Sequence, residues 1–171
     1  MTLSILQEAY LEVLPYTGKS GCYSAMVPDN HTKKFFTNVA KVFGLAPDPE
    51  SFHVTVMFSK EKVLDVEPES IIDTVPKVIV TRFVEVESWI DHKDRKIIVV
   101  KIDRESGLQE IHNTLLDGGA KHSFDDYQSH VTLGKVDKDF EITEQMKQKV
   151  QSLVENQPML VFKDFFIGDV D

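Results

Sequence analysis

The chain has 171 residues, 42% of them hydrophobic, and a formal net charge of −9 at pH 7. This hydrophobic share is enough for a buried core, and because no run approaches about 20 apolar residues we expect no membrane span. An acidic chain of this kind is not expected to coat long nucleic acids, although a small anionic ligand needs only a local group of positive donors.

The start of the chain and its cysteine content indicate where the protein works. Residues 1–8 lack the basic start and the long apolar stretch of a secretory signal. The single cysteine, Cys22, cannot form an internal disulfide, which is typical of a reducing compartment, and its apolar neighbours predict a packed side chain. We therefore expect a cytoplasmic protein without membrane association and without an obligate protein partner.

The first half of the chain predicts a strand, a helix, a second strand and a hairpin. Gly21–Val27 has the composition of a strand, and Thr32–Phe43 has apolar residues at helical spacing. A proline-containing loop leads to the apolar run Phe52–Phe58. The hairpin pairs a long alternating strand, Lys77–Ile90, with Lys96–Ile102 across a charged turn.

The second half predicts a similar order of elements. A helix over Leu108–Leu116 precedes the strand Ser129–Gly134, and a helix over Glu144–Val154 precedes the last strand, Met159–Ile167. A helix followed by a strand in both halves indicates a duplicated α+β unit. We expect residues 1–171 to form one bilobal α+β domain, with two antiparallel sheets around a central cleft and helices packed outside.

One tripeptide occurs twice in these strand-like runs, as His53-Val54-Thr55 and as His130-Val131-Thr132. Side chains alternate along a strand, so the histidine and threonine of each copy point to one side and the valine to the other. If the two strands lie side by side, two imidazoles and two hydroxyls converge on one ligand. The alternative is a pair of half-buried strands whose polar residues bond to each other or to water.

A third copy of the pattern, His112-Asn113-Thr114, serves as a control. It lies in a segment where apolar residues recur at helical spacing, and residues two apart on a helix point about 200° apart. His112 and Thr114 therefore cannot converge on one ligand, and we exclude them from the site.

The paired motifs have the groups needed for acid–base attack on a phosphodiester. A histidine titrates near neutrality, so one imidazole can accept a proton while the other donates one to the leaving oxygen. Thr55 and Thr132 can hydrogen-bond the non-bridging phosphoryl oxygens in the transition state. We therefore predict four catalytic residues, His53, Thr55, His130 and Thr132, and expect no cofactor.

A metal site is not expected, because the chain lacks both a His-Glu-x-x-His run and paired cysteines. The remaining histidines are spread over a helix start, a turn, a helix and a loop, without ligand-like spacing. We expect structural or solvent-exposed roles for all four: His31, His92, His112 and His122.

Aromatic rings near the motifs are candidates for stacking on nucleobases. Tyr23 lies on the first strand, Trp89 lies near the end of the long hairpin strand, and Tyr127 comes three residues before His130. The alternative for each ring is core packing with its polar atom bonded at the surface. Two lysines that follow the motif strands, Lys60 and Lys135, can attract an anion, or can be ordinary solvated lysines.

The paired motifs resemble the hallmark of the 2H phosphoesterase superfamily, in which two His-x-Thr/Ser motifs lie on facing strands of a two-lobed fold. Within it, the size of the chain and the runs Gly21-Cys22-Tyr23-Ser24-Ala25 and Ser129-His130-Val131-Thr132-Leu133-Gly134-Lys135 most resemble the bacteriophage anti-CBASS phosphodiesterases. The resemblance implies a metal-independent enzyme that cleaves the 3′–5′ bonds of cyclic di- or oligonucleotide signals. It would act in the host bacterial cytoplasm as a counter-defence.

Two alternatives stay open within this resemblance. The chain could be an RNA 2′,3′-cyclic phosphodiesterase, but many RNA-directed relatives have Leu after each motif threonine and a basic cleft, whereas Val56 follows Thr55 here. It could also be a non-catalytic sponge for cyclic nucleotides, but a pure binder has no need of two titratable imidazoles facing a phosphate.

Overall fold

The computed structural model describes residues 16–17, 21–61, 68–123 and 126–170. The described part contains seven strands: β1 (Gly21–Pro28), β2 (Val54–Ser59), β3 (Val78–Thr81), β4 (Phe83–Ile90), β5 (Lys96–Ile102), β6 (His130–Val136) and β7 (Leu160–Val170). It also contains four α-helices: α1 (Asn30–Val42), α2 (Pro68–Thr74), α3 (Leu108–Asp117) and α4 (Glu144–Asn156). No helix in the described ranges is long and apolar enough to cross a membrane.

The strands form two antiparallel sheets, which confirms the predicted α+β class. The first sheet has the order β2-β1-β7-β3, and the second has the order β4-β5-β6. The two strands that carry the His-Val-Thr tripeptides, β2 and β6, each lie at an edge of a different sheet and contact each other. The sheet arrangement thus brings together two motifs that are 77 positions apart in the sequence.

Each sheet has a core face and a site face, named here for the helix-packed core and for the motif histidines. On the core faces, β-strand residues such as Val54 and Val131 pack with residues of the helices, including Phe36 and Leu115, in the larger hydrophobic cluster. On the site faces, a smaller apolar cluster joins the two sheets and consists of Tyr23, Ala25, Phe58, Ile97 and Val99. Burial of apolar side chains on both faces therefore holds the two sheets, and the motif strands within them, in place relative to each other.

Two helices begin where a side chain caps the backbone. The Asp29 carboxylate accepts a 2.8 Å hydrogen bond from the Thr32 N–H, so α1 begins two residues earlier than its apolar spacing predicts. Thr143 caps α4 in the same way by accepting from the Met146 N–H. Both helices were otherwise predicted in their correct places.

The prediction of one continuous strand over Lys77–Ile90 is wrong. The chain leaves the first sheet after Thr81 and enters the second at Phe83, so β3 pairs with β7 while β4 pairs with β5. Asp103 holds this crossing: its N–H donates to the Arg82 carbonyl at 2.9 Å, and its carbonyl accepts from the Thr81 hydroxyl at 2.7 Å. No glycine or proline marks the switch, so the alternating pattern gave no signal for it.

Two other elements differ from the predictions. Apolar spacing did not predict α2, because the large apolar residues of this seven-residue helix are two adjacent isoleucines. The last strand, β7, lies between β1 and β3 of the first sheet, so the second half of the chain completes the sheet that the first half begins.

Candidate active site

The two motif strands show the predicted alternation of side chains. Val54 and Val131 are fully buried in the core-face cluster, while Thr55 lies opposite Ala25 and Thr132 lies opposite Val99 on the site faces. His53 comes one residue before β2 begins, and His130 is the first residue of β6. Local alternation therefore delivers one imidazole and one hydroxyl from each strand to the same side.

A β-bulge directly follows each motif threonine. In β2, Thr55 pairs with Ala25 and Met57 pairs with Ser24, so Val56 is the extra residue. In β6, Thr132 pairs with Val99 and Gly134 with Ile98, which leaves the residue between them as the extra one. The two motifs thus share a backbone irregularity as well as a tripeptide, and bulges commonly re-aim side chains beside active sites.

Backbone carbonyls hold the two imidazoles in the same orientation. Nδ1 of His53 lies 2.8 Å from the Ser51 carbonyl, and Nδ1 of His130 lies 2.7 Å from the Gln128 carbonyl. A carbonyl can only accept, so Nδ1 carries the proton and donates it in both rings. In the neutral imidazoles Nε2 is therefore an acceptor, the form of histidine that can remove a proton.

Burial keeps both imidazoles neutral in the free protein. It lowers the pKa of His53 although the hydrogen bond to Ser51 opposes this effect. It lowers the pKa of His130 to about 4, where the hydrogen bond to Gln128 opposes the shift and the electrostatic interaction with His53 contributes to it. His130 retains some exposed surface, but protein atoms enclose the ring on most sides and limit its solvation.

Several polar atoms on the site faces are buried without a hydrogen-bond partner of good geometry in the described part of the chain. They are His53 Nε2, Thr55 Oγ1 and Thr132 Oγ1. Buried polar groups are normally hydrogen-bonded, so three such atoms on adjoining strands indicate a place where a polar ligand binds. A phosphoryl group has acceptor oxygens for the two hydroxyls and a leaving oxygen for a protonated imidazole.

One aromatic ring lies beside each motif histidine, which places two of the predicted substrate residues at the site. Tyr23 meets His53 edge-on, with ring centroids 6.4 Å apart. Burial raises the pKa of Tyr23, while its hydroxyl interacts with the side chain of Thr55. Trp89 lies against His130, with ring centroids 4.5 Å apart.

A charged network behind Trp89 was missed by the sequence interpretation. The Trp89 indole N–H donates to a Glu87 carboxylate oxygen at 2.6 Å, and this bond is the main reason that the pKa of Glu87 is lowered. Lys101 lies opposite His130 in the sheet, and its ammonium is 3.5 Å from carboxylates of both Glu85 and Glu87. Alternation along the predicted β4–β5 hairpin places these charges on one face, but the pairing of β5 with β6, which makes this the site face, was not predicted.

Of the remaining residues predicted to contact the substrate, the two lysines are exposed and the tyrosine is buried. Lys135 is exposed and pairs with Ile97, a site-face residue, so it lies on the same face as Thr132. Lys60 is exposed just after β2, with its backbone N–H donating to Ser123 Oγ. Tyr127 is buried and stacked on His112 at 4.3 Å, so one face of its ring is already covered and is closed to a base.

The other histidines do not gather into a metal-binding group among the described residues. His112 and His122 do lie together, with ring centroids 4.8 Å apart, although ten positions separate them in the sequence. Their Nδ1 atoms bind backbone groups of β2, at the Val56 carbonyl and the Phe58 N–H respectively. Cys22 is buried as predicted, and burial raises the pKa of its thiol to about 12.

Comparison with known proteins gives one consistent result. A family model described as anti-CBASS protein Acb1 matches residues 20–160. The anti-CBASS protein Acb1 of Vibrio phage KVP40 is 28% identical over 125 residues, which are 72% of this chain and 78% of that protein. The anti-CBASS protein Acb1 of Escherichia phage RB16 is 30% identical over 128 residues, which are 74% of this chain and 69% of that protein.

Proposed function

Because the chain belongs to the anti-CBASS protein Acb1 family, we propose that it is a phosphodiesterase that opens cyclic di- or oligonucleotide signals at their 3′–5′ bonds. The observation that carries this proposal is the pair of imidazoles on adjoining strands, each with Nδ1 bonded to a carbonyl and Nε2 left as the reactive nitrogen. Such a pair suits a reaction that needs one proton removed and one proton delivered.

The reaction follows from the groups at the site. One neutral imidazole removes the proton of the ribose 2′-hydroxyl, whose oxygen attacks the neighbouring phosphorus. The bond from phosphorus to the 5′-oxygen breaks, and the second imidazole, now protonated, gives its proton to that oxygen. The products are a 2′,3′-cyclic phosphate and a free 5′-hydroxyl. The attack is intramolecular, so the substrate itself holds the nucleophile in place.

When the substrate binds, one imidazole can take up a proton from solvent, although burial disfavours its charged form in the free protein. A phosphodiester anion between the rings favours their charged form, because an opposite charge within a few ångströms raises the pKa of a histidine. Thr55 and Thr132 hydrogen-bond the non-bridging oxygens as negative charge develops. These side chains supply both proton transfers and the oxyanion contacts, and we propose that no metal ion is needed.

The biological role that we propose is removal of a nucleotide signal of antiphage defence in the host bacterial cytoplasm. The family description supports this role. A fold of the 2H phosphoesterase type, with residues 1–171 as one bilobal domain, is part of the proposal and is supported by the core cluster shared between the two sheets. Trp89, Tyr23 and Lys135 are proposed to contact the bases and phosphates.

A substrate panel with product analysis tests the proposal. The protein is incubated in EDTA with cyclic dinucleotides, a cyclic trinucleotide, an RNA ending in a 2′,3′-cyclic phosphate, and a 2′-deoxy cyclic dinucleotide, and the products are separated by chromatography. We expect linear products from the ribose rings and none from the deoxy ring. Ligand that is bound but returned intact would instead indicate a sponge, and hydrolysis of the RNA end alone would indicate the RNA-directed activity.

A further inference from the structure

The outer edge of β2 has backbone groups that the sheet leaves unpaired. Among the described strands β2 pairs with β1 alone, and Val56 is the extra residue of the bulge in this pairing. The Thr55 carbonyl accepts a 3.0 Å hydrogen bond from the Tyr127 hydroxyl. The Val56 carbonyl accepts a 2.6 Å hydrogen bond from His112 Nδ1. Two side chains from outside the sheet thus hold the peptide groups of the first motif.

The segment that leads to the second motif continues this contact along the edge. Ser123 N–H donates to the Phe58 carbonyl at 2.8 Å, and Ser123 Oγ accepts from the Lys60 N–H at 3.1 Å. The Phe58 N–H donates to His122 Nδ1 at 3.4 Å. His122, Ser123 and Tyr127 therefore act as a cover for the edge of β2, which is how proteins satisfy edge-strand backbone groups.

Tyr127 is the residue of this cover that reaches both motifs. Its hydroxyl binds the Thr55 carbonyl, while the next residue, Gln128, provides the carbonyl that orients His130. Its own carbonyl accepts a 2.7 Å hydrogen bond from the Arg104 guanidinium, which fixes the backbone at that point. Its ring is nearly parallel to that of His112, with an interplanar angle of 8°. A chain of short contacts thus connects Thr55 to His130 through one tyrosine.

We infer that Tyr127 is a positioning residue that sets the placement of the first motif relative to the second, with His112 as the ring that holds it. The inference rests on the proposed phosphodiesterase function for its kinetic consequences. It assigns Tyr127 a role different from base stacking, since the hydroxyl and one face of the ring are occupied by protein. Loss of the hydroxyl would let β2 shift against β6 although all four motif side chains, which Tyr127 is not among, are retained.

The test is the variant Tyr127→Phe, which keeps the ring and its stacking and removes only the hydroxyl. A matched control is Thr81→Val, which removes another buried hydroxyl bonded to a carbonyl, that of Asp103, on the edge strand opposite β2 in the first sheet. If both variants lose similar thermal stability, Tyr127→Phe should lower kcat by about 10- to 100-fold with KM little changed, because misplacement of reacting groups acts on the chemical step. Thr81→Val should keep the wild-type kcat.

A second readout does not depend on activity. The titration of His53 and His130 is followed by NMR of ¹⁵N-labelled imidazoles in wild type and both variants. We expect Tyr127→Phe to change the pKa or the shifts of both histidines, and Thr81→Val to leave them unchanged. His112→Asn, which keeps an N–H donor for the Val56 carbonyl but removes the stacked ring, should act in the same direction and serves if Tyr127→Phe folds poorly.

Two results would overturn the inference. One is a Tyr127→Phe protein with wild-type kcat and wild-type histidine titration, and the other is an equal loss of kcat in Thr81→Val. An inactive wild type across the substrate panel would instead contradict the proposed function, and the NMR titration would then decide whether Tyr127 positions the two motifs.

Discussion

Each motif threonine has a buried hydroxyl for which the described residues offer no hydrogen bond of good geometry. Thr55→Val and Thr132→Val keep the shape of the side chain and remove the donor. We expect kcat to fall by about 10²–10³-fold for each, the usual effect of removing one transition-state donor. Steady-state kinetics on a cyclic dinucleotide measures this effect.

The third tripeptide provides the control for these variants. Thr114 donates to the Glu110 carbonyl within α3, so Thr114→Val alters a threonine of the same sequence pattern outside the site. It should keep the wild-type kcat. Variants of Thr55 and Thr132 that lose affinity but retain the maximal rate would show that these hydroxyls bind the ground state only.

The sequence identified two tripeptides that the fold brings to adjoining strands, but not the groups that orient their side chains. The carbonyls of Ser51 and Gln128 fix the tautomer of each histidine, and a backbone carbonyl leaves no trace in residue identity. The contact of Trp89 with His130 depends on the pairing of β4 with β5, which sequence spacing predicted correctly. The burial of Tyr127 depends on α3, whose packing against β2 is a long-range contact that no local pattern reveals.

At the scale of the strands, alternation gives the residues of each tripeptide different roles. The valine contributes to stability, and the histidine and threonine contribute to activity. Val54 and Val131 are fully buried on the core faces, so Val54→Ala and Val131→Ala should each lower the free energy of unfolding by about 1.5–3 kcal/mol. The histidine and threonine variants should change stability less. Urea unfolding midpoints of the set measure the difference, and equal losses at valine and threonine positions would contradict the assignment of faces.

The predicted helices and strands were correct where a local sequence pattern determines them. They were wrong where the element boundaries depend on which strands pair. The helices α1, α3 and α4 follow from apolar spacing, and β2 and β6 follow from their β-branched runs. The transfer of the chain between sheets at Arg82 depends on bonds to Asp103, twenty-one residues later. The bulges after Thr55 and Thr132 likewise exist only relative to the neighbouring strand.

At the scale of the whole molecule, four histidines with lowered pKa values make stability depend on pH. Burial lowers the pKa of His122 and of His130 to about 4, from the usual 6.5, and lowers the pKa of His53 and His112 in the same direction. Between pH 6.5 and 4 the unfolded chain therefore binds more protons than the folded protein. The stabilisation from these neutral rings is complete above pH 6.5 and is lost as the pH falls towards 4.

Urea unfolding measured across this pH range tests the effect. Between pH 8 and 7 these histidines should not change the unfolding midpoint, and from pH 6.5 to 4.5 the midpoint should decrease steadily. His122→Gln should reduce the steepness of this decrease, while His31→Gln, a change at an exposed position of α1, should not. A midpoint that stays constant over the acidic range in the wild type would show that these rings are not held neutral by burial.

The same lowered pKa values predict how the rate depends on pH. The reaction needs one neutral and one protonated imidazole, and kcat/KM reports the pKa values of the free protein. Since both motif histidines titrate below 6.5 in the free protein, kcat/KM should follow a bell centred below that pH. The kcat profile should lie at higher pH, because the bound phosphate favours the protonated ring. A kcat/KM optimum above pH 8 would contradict this assignment.

The most direct measurement of the central claim compares the cleavage rates of wild type, His53→Ala and His130→Ala on a cyclic dinucleotide in EDTA, with His31→Ala as control. Circular dichroism confirms that each variant is folded. We predict that each motif variant loses about 10²–10⁴-fold in kcat, the usual effect of removing a general acid or base, and that His31→Ala keeps the wild-type rate. A folded His53→Ala or His130→Ala protein with near wild-type activity would contradict the two-histidine mechanism.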